Sequence, residues 1–429
     1  MNFLFVHQNF PGQFLHLVRH LVASKQHQVV FITEPNANQI GGVRKVAYNK
    51  PPPSPASVHL VARELDAAAR RAETVARMAA NLKSLGFVPD IMIGHHGWGE
   101  MMNLVDVFPG VPLLGYQEFY YQIEGIDVNF DPEFPTTVTD YPRIRGKNAI
   151  NHITLTLGQH GQTPTEWQMS TYPEWARPQI TLLREGVHLD ICKPNPQVRR
   201  EPMKFGDVTI RPNDKLVTYV SRDLEPYRGF HLMMRALPHL LKARKDIRVV
   251  MVGGDGVSYG NPPKEGAWRQ VMLKELGDRI DTKRVAFPGR LDYQEYLKLL
   301  QRSDAHVYLT YPFVASWSLR EALAMGCPVI GSDTQPVREF ITPGVNGLLV
   351  PFFDPAGLAR TVLNVLEDAA LSRRLRENAR HYAERHLAMA DYLAEYEALI
   401  SRLTGMKLGE SRDESVVTPM RRPARRARR

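Results

Sequence analysis

The chain has 429 residues, 43% hydrophobic and 23% charged, which is ordinary globular composition and enough for two domains with separate cores. No apolar run approaches the roughly 20 residues of a membrane-spanning helix, and the two distant cysteines, Cys192 and Cys327, exclude a disulfide framework and fit a reducing cytoplasm. Of the net charge of +9, +5 comes from the segment after residue 403, with eight Lys/Arg against three Asp/Glu, so the body carries only +4 and a nucleic-acid partner is not expected.

The N-terminal MNFLFVHQNFPGQF lacks the basic start and long apolar core of a signal peptide. FLFVH (3–7) reads as a strand, followed by a Pro-Gly loop and a helix from about Gln13. HQVVFIT (27–33), DIMIG (90–94) and VPLLGY (111–116) are further strands, and 57–85 is a long helix rich in Ala, Arg and Leu. Continuous apolar strands separated by helices predict a parallel sheet covered on both faces. The stretch 193–215, rich in Pro and charge, reads as a linker. The pattern then restarts with strands at 216–221, 247–254, 285–289, 305–310 and 327–332 and helices at about 229–244, 266–277, 292–302, 317–325 and 355–369. Two Rossmann-like, doubly wound α/β domains facing a cleft follow, placed at 1–205 and 206–385, and ligands bind such sheets at the carboxyl ends of strands. An amphipathic helix at 386–403 is expected to return to the first domain. The segment 404–429 ends in PMRRPARRARR and reads as a disordered basic arm, with peripheral contact to an anionic membrane face or plain solvation as its two readings.

Candidate chemistry sits at strand ends. GGDG (253–256) is not a dinucleotide loop, because the third glycine of G-x-G-x-x-G would fall at Tyr259. SRDLEPYRGF (221–230) places Arg222 and Arg228 between a strand and a helix start, either as the donor set of a diphosphate site or as two solvated loop arginines. HHGWGE (95–100) ends another strand, and His95 is either a cleft base or a satisfied loop histidine. In GYQEFYY (115–121), Gln117 and Glu118 should protrude towards the same cleft. The helix from Trp317 has Ser316 or Ser318 to cap it, an anion-favouring N-terminus, and Glu321 one turn in, suited to a vicinal diol or merely to the helix dipole. No Asp-x-Asp pair occurs, so a metal bridging carboxylates to a diphosphate is not indicated.

Together, VSRDLEPYRGFHLMMRAL, VVMVGGDG, VAFPGRLDYQEYLKLLQRSDAHVYLT and SLREALAMGCPVIGSDTQPVREFITPGVNGLLV resemble the retaining GT-B glycosyltransferases of family 4 type, also called glycosyl transferases group 1. VHQNFPGQF and PTEWQ (164–168) are similar to that family's glycine loop and domain-end segment. The resemblance covers most of 1–403. It implies transfer of a sugar from a nucleotide-diphosphate sugar to an acceptor hydroxyl, without metal or other cofactor. The acceptor would be a glycan or lipid-linked glycan of cell-surface polysaccharide or glycolipid synthesis, on the cytoplasmic side.

By matching positions, the resemblance implies that Arg222 and Arg228 contact the donor diphosphate and Glu321 the ribose. Gly289 and Arg290 would lie beside the base, and the N–H groups of Ser316, Trp317, Ser318 and Leu319 would hold the distal phosphate. Gly12 would let its loop approach, and His95 would be a cleft histidine. Phe313 stands where the family has a sugar-reading glutamate, and Gln117-Glu118 where it has His-Asp, leaving Glu118 as the group expected near the anomeric carbon. The alternatives are a non-catalytic nucleotide-sugar-binding partner subunit, motivated by Phe313, and a GT-B sugar-nucleotide epimerase.

Overall fold

A computed structural model describes residues 1–408, so most of the basic arm expected at 404–429 lies outside the described residues. The first sheet comprises β1 (Asn2–Val6), β2 (Gln28–Thr33), β3 (Val43–Ala47), β4 (Ile91–His95), β5 (Leu113–Tyr116), β6 (His160–Thr163) and β7 (Ile180–Leu182). Its order is β3-β2-β1-β4-β5-β6-β7 and every pairing is parallel. Register places Phe5 between Phe31 and Ile93, all three fully buried, as strands covered on both faces require.

A short antiparallel hairpin follows, β8 (Met203–Phe205) and β9 (Val208–Ile210). Then come β10 (Lys215–Asp223), β11 (Ile247–Gly254), β12 (Val285–Gly289), β13 (Ala305–Tyr308), β14 (Val329–Ser332) and β15 (Leu348–Val350), a parallel sheet in the order β12-β11-β10-β13-β14-β15. This is the GT-B arrangement of two Rossmann-like domains. In each sheet the strand order reverses beside the first strand, at β1/β4 and β10/β13, which opens a crevice at the carboxyl ends.

Three findings depart from the sequence reading. The expected linker 193–215 carries the hairpin, whose Phe205, Val208 and Ile210 are buried against Leu216 and Val250. Its strands are too short to show periodicity amid proline and charge. Strands β3, β6, β7 and β15 are not read from sequence, because VRKVA and HGQT are polar and ITL and LLV are only three residues long; β3 is an edge strand whose charges guard it from further pairing. The chain also crosses between domains more than once, where the sequence reading expects only the return of the helix at 386–403. The helix Met389–Thr404 packs Met389, Tyr392, Tyr396 and Ile400 into the first-domain core with Phe3, Phe5 and Phe14, and Gln162 donates to Tyr396 Oη at 2.8 Å.

A second crossing is a strap between β5 and the helix Tyr141–Thr156. It leaves the first domain and lies on the second. Tyr227 donates its hydroxyl to Asp127, and Tyr311 donates to Asp131 Oδ2 at 2.7 Å. Asp131 also stands 3.0 Å from His231 Nε2, and Glu133 pairs with Arg235. The Phe130 ring packs on Tyr311, Phe352 and Phe353 with centroids 5.1 to 5.2 Å away. No helix among the described residues is long and apolar enough to cross a membrane.

Candidate active site

The second domain contributes two arginines in contrasting states. Arg222, near the end of β10, is exposed, with no hydrogen bond or ion pair among the described residues. Arg228 is only 5% exposed, yet no carboxylate among the described residues forms an ion pair with it. Its Nη1 donates to Thr310 Oγ1 at 2.8 Å and to the Val314 carbonyl at 2.7 Å, and the guanidinium lies 4.8 Å from the Tyr259 ring centroid. A buried cation held only by neutral oxygens and a ring face keeps unspent attraction for an anion. The next residue, Gly229, has φ +68°, and a Cβ there would sit 2.4 Å from Leu309, so only glycine lets the following helix start this close to β13.

Tyr259 reaches the site because Glu225 pins its loop, accepting the N–H groups of Ser258 at 3.1 Å and Gly260 at 2.9 Å. Arg290 leaves β12 beside it and pairs with buried Asp223 at 3.1 Å, next to Gly289 with φ +74°. Sequence reading does not single out Tyr259 as a site residue, since a tyrosine in a polar loop has no pattern of its own.

The helix Trp317–Ala324 aims its N-terminus at the same place, but its cap differs from expectation. Neither serine caps it: Ser316 and Ser318 hydroxyls bond each other at 2.7 Å. The Ser316 N–H goes to Tyr308 Oη at 2.7 Å and the Leu319 N–H returns to the Ser316 carbonyl at 3.2 Å. Of the four N–H groups expected to hold a phosphate, those of Trp317 and Ser318 have no partner among the described residues. Glu321 follows one turn later, with both carboxylate oxygens accepting tyrosine hydroxyls.

The first domain answers with His95 and Glu118 at the ends of β4 and β5. His95 Nδ1 accepts the Gly97 N–H at 3.0 Å, which leaves the ring proton on Nε2, 3.4 Å from Glu118 Oε2. Burial alone would raise the Glu118 carboxyl, but the His95 contact and the charges of Arg228 and Arg222 together hold it below the usual range. Glu118 therefore faces the arginines across the cleft. Its neighbour Gln117 does not protrude as expected: it is buried, with Oε1 unpartnered among the described residues. The inward turn follows from strand alternation, which sends consecutive side chains to opposite faces.

His7, at the end of β1, stands behind His95 with ring centroids 5.5 Å apart at 90°. Burial, then His95, pushes its imidazole down to about 3. Gly12, with φ +55°, curls over His7, where a Cβ would come within 2.9 Å of the ring. Sequence reading missed His7, although VHQNF puts it at a strand end.

Phe313 is buried in an apolar cluster. It packs on Phe119 at 4.6 Å, Tyr259 at 5.2 Å and Tyr227 at 5.5 Å, and its carbonyl accepts Trp167 Nε1 at 2.7 Å. Among the described residues, Asp131, Glu133 and His231 bring metal-ligating atoms together, but their partners Tyr311 and Arg235 mark them as the strap's anchor.

Residues 25–192 match the family model described as glycosyl transferase family 4 group, and residues 202–382 match that of glycosyl transferases group 1. Curated relatives include the glycogen synthase of Mycobacterium tuberculosis, 28% identical over 202 residues, which are 47% of this chain and 43% of that protein. A D-inositol 3-phosphate glycosyltransferase of Streptomyces bingchenggensis is 26% identical over 48% of this chain and 44% of its own. The chain thus spans less than half the length of these relatives. Among solved structures, the sucrose-phosphate synthase of Thermosynechococcus elongatus superposes with a TM-score of 0.72 at 17% identity, covering 94% of this chain and 99% of that one. The Anabaena protein Alr3699/HepE in complex with UDP-glucose gives 0.66 at 16% identity, covering 94% and 100%.

Proposed function

Because the chain belongs to the glycosyl transferase family 4 and group 1 glycosyltransferases, we propose that it moves a sugar from a nucleotide-diphosphate sugar to an acceptor hydroxyl. One observation carries this reading: buried Arg228 has no carboxylate partner among the described residues and lies beside open Arg222, opposite Glu118. A neighbour of the same fold, Alr3699/HepE, is a complex with UDP-glucose, which supports the donor class.

As the bond between anomeric carbon and phosphate oxygen breaks, negative charge gathers on the leaving diphosphate. Arg222, Arg228 and the open N–H groups of Trp317 and Ser318 are fixed opposite that charge. They supply what a metal bridge would, so the reading needs none. Positive charge on the anomeric carbon is met by ionised Glu118, oriented by His95. The acceptor hydroxyl attacks from the face the diphosphate leaves, and a leaving phosphate oxygen takes its proton. This retains the anomeric configuration without a strong protein base. Cell-surface polysaccharide or glycolipid synthesis is the proposed setting, on the cytoplasmic side.

Phe313 favours a second reading, a nucleotide-sugar-binding subunit without transfer, since its aromatic cluster stands where a sugar-reading carboxylate would be. Titration with UDP-, GDP- and ADP-sugars, followed by mass spectrometry of the products, separates the two. Transfer to added acceptor, or slow release of nucleoside diphosphate, is expected. Tight binding with neither would leave the binding subunit.

A further inference from the structure

Glu321 already holds two hydroxyl partners. Tyr293 Oη donates to Oε1 at 2.8 Å and Tyr296 Oη donates to Oε2 at 2.7 Å, one phenol on each oxygen. A vicinal diol binds a carboxylate in the same manner, one hydroxyl per oxygen. Both tyrosines belong to the helix Tyr293–Arg302, which begins just after β12 and so at the carboxyl edge of the sheet.

The two are not equivalent. Tyr296 is 9% exposed and sits in the core that contains Leu319 and Leu323. Tyr293 is the first residue of its helix and 49% exposed, its ring resting on Tyr296 with centroids 5.9 Å apart. Turning Tyr293 outward gives up a 3.5 Å contact of its hydroxyl with Cys192 Sγ but moves a half-exposed ring, whereas turning Tyr296 would empty a core position. Tyr293 is therefore the phenol on the open side of the carboxylate, the side from which a ligand arrives. Tyr296 holds Oε2 from the core side and leaves that oxygen's outward acceptor position free, whereas Tyr293 lies on the open side of Oε1, where an incoming hydroxyl would have to sit.

Resting on the reading of Glu321 as the ribose acceptor, we propose that Tyr293 stands in for the donor's ribose while the site is empty. Its hydroxyl occupies Oε1 until a ribose hydroxyl displaces it, and Tyr296 stays on Oε2 and fixes the carboxylate. The pair keeps a partly buried carboxylate hydrogen-bonded and aimed in the free protein, and Tyr293 makes ribose binding an exchange of hydroxyl for hydroxyl. Burial pushes the Glu321 carboxyl up, and the two phenol bonds act against that shift.

The test is calorimetry on the full chain with UDP, GDP and ADP and the 2′,3′-dideoxy form of whichever binds. Tyr293→Phe removes the competitor, so it should bind that nucleoside diphosphate roughly threefold to tenfold more tightly than the wild type. The dideoxy form should show no such gain, and Tyr296→Phe should bind no more tightly than the wild type. Unchanged or weaker binding by Tyr293→Phe, an equal gain with the dideoxy form, or tighter binding by Tyr296→Phe would overturn the inference. A wild type that binds none of the three diphosphates would instead overturn the donor-site reading itself.

Discussion

His7 and His95 stand side by side at strand ends with opposite electrostatic settings. His95 leans on Glu118, while His7 is buried against it and held neutral, its imidazole lowered to about 3. In the unfolded chain the same ring takes a proton near 6.5. Between those values the unfolded state binds more protons, so His7 costs no stability above about pH 6.5 and a growing amount as pH falls below it. The slope is about 1.4 kcal/mol per pH unit while only the unfolded state is charged. His7→Phe should remove that slope: urea unfolding at pH 7 and pH 5 should show a smaller acid loss of stability in the variant, and an equal loss would contradict the burial of a neutral His7. At this scale much was legible. Arg222, Arg228 and Glu118 are legible beside strand ends and Glu321 one turn into a helix, because strand and helix patterns fix where such positions fall. The serine pair, Gln117 and the two tyrosines on Glu321 are not, since hydroxyl partners and strand alternation depend on the folded neighbourhood.

Among the elements, the apolar strands were read because burial on both faces leaves a continuous hydrophobic run. The strap was not. Residues 117–140 mix aromatic, acidic and proline residues without periodicity, and their partners Tyr311, Phe352 and Phe353 lie some two hundred positions away in sequence. Yet the strap joins the domains through an aromatic cluster and three acidic residues. Phe130→Ala removes the central ring, at a cost of about 2 kcal/mol for a partly buried phenylalanine. Protease cleavage within 122–140 should then accelerate by roughly tenfold or more, in line with that loss of local stability. A cleavage rate equal to the wild type would show that Phe130 does not hold the strap.

Across the whole molecule, residues more than a hundred positions apart in sequence come together between the carboxyl edges of the two sheets. Glu118 from the first domain lies within the field of Arg222 and Arg228 from the second, and Trp167 bonds the carbonyl of Phe313. The doubled α/β pattern made this architecture readable, and the family motifs in 216–350 carry the proposal of a donor site. The apolar wall around Phe313 withholds the sugar's identity, because an aromatic surface names no particular hydroxyl. Arg222 is the cleanest probe of the central claim: it is exposed and unpaired among the described residues, whereas loss of Arg228 would also strand Thr310 and Val314 oxygens. The deciding measurement is calorimetric titration of the wild type and Arg222→Ala with the nucleoside diphosphate that binds. At least tenfold weaker binding, about 1.4 kcal/mol for a charged contact, is predicted with an unchanged melting temperature. Equal affinity in the two proteins would contradict a diphosphate seat at these arginines.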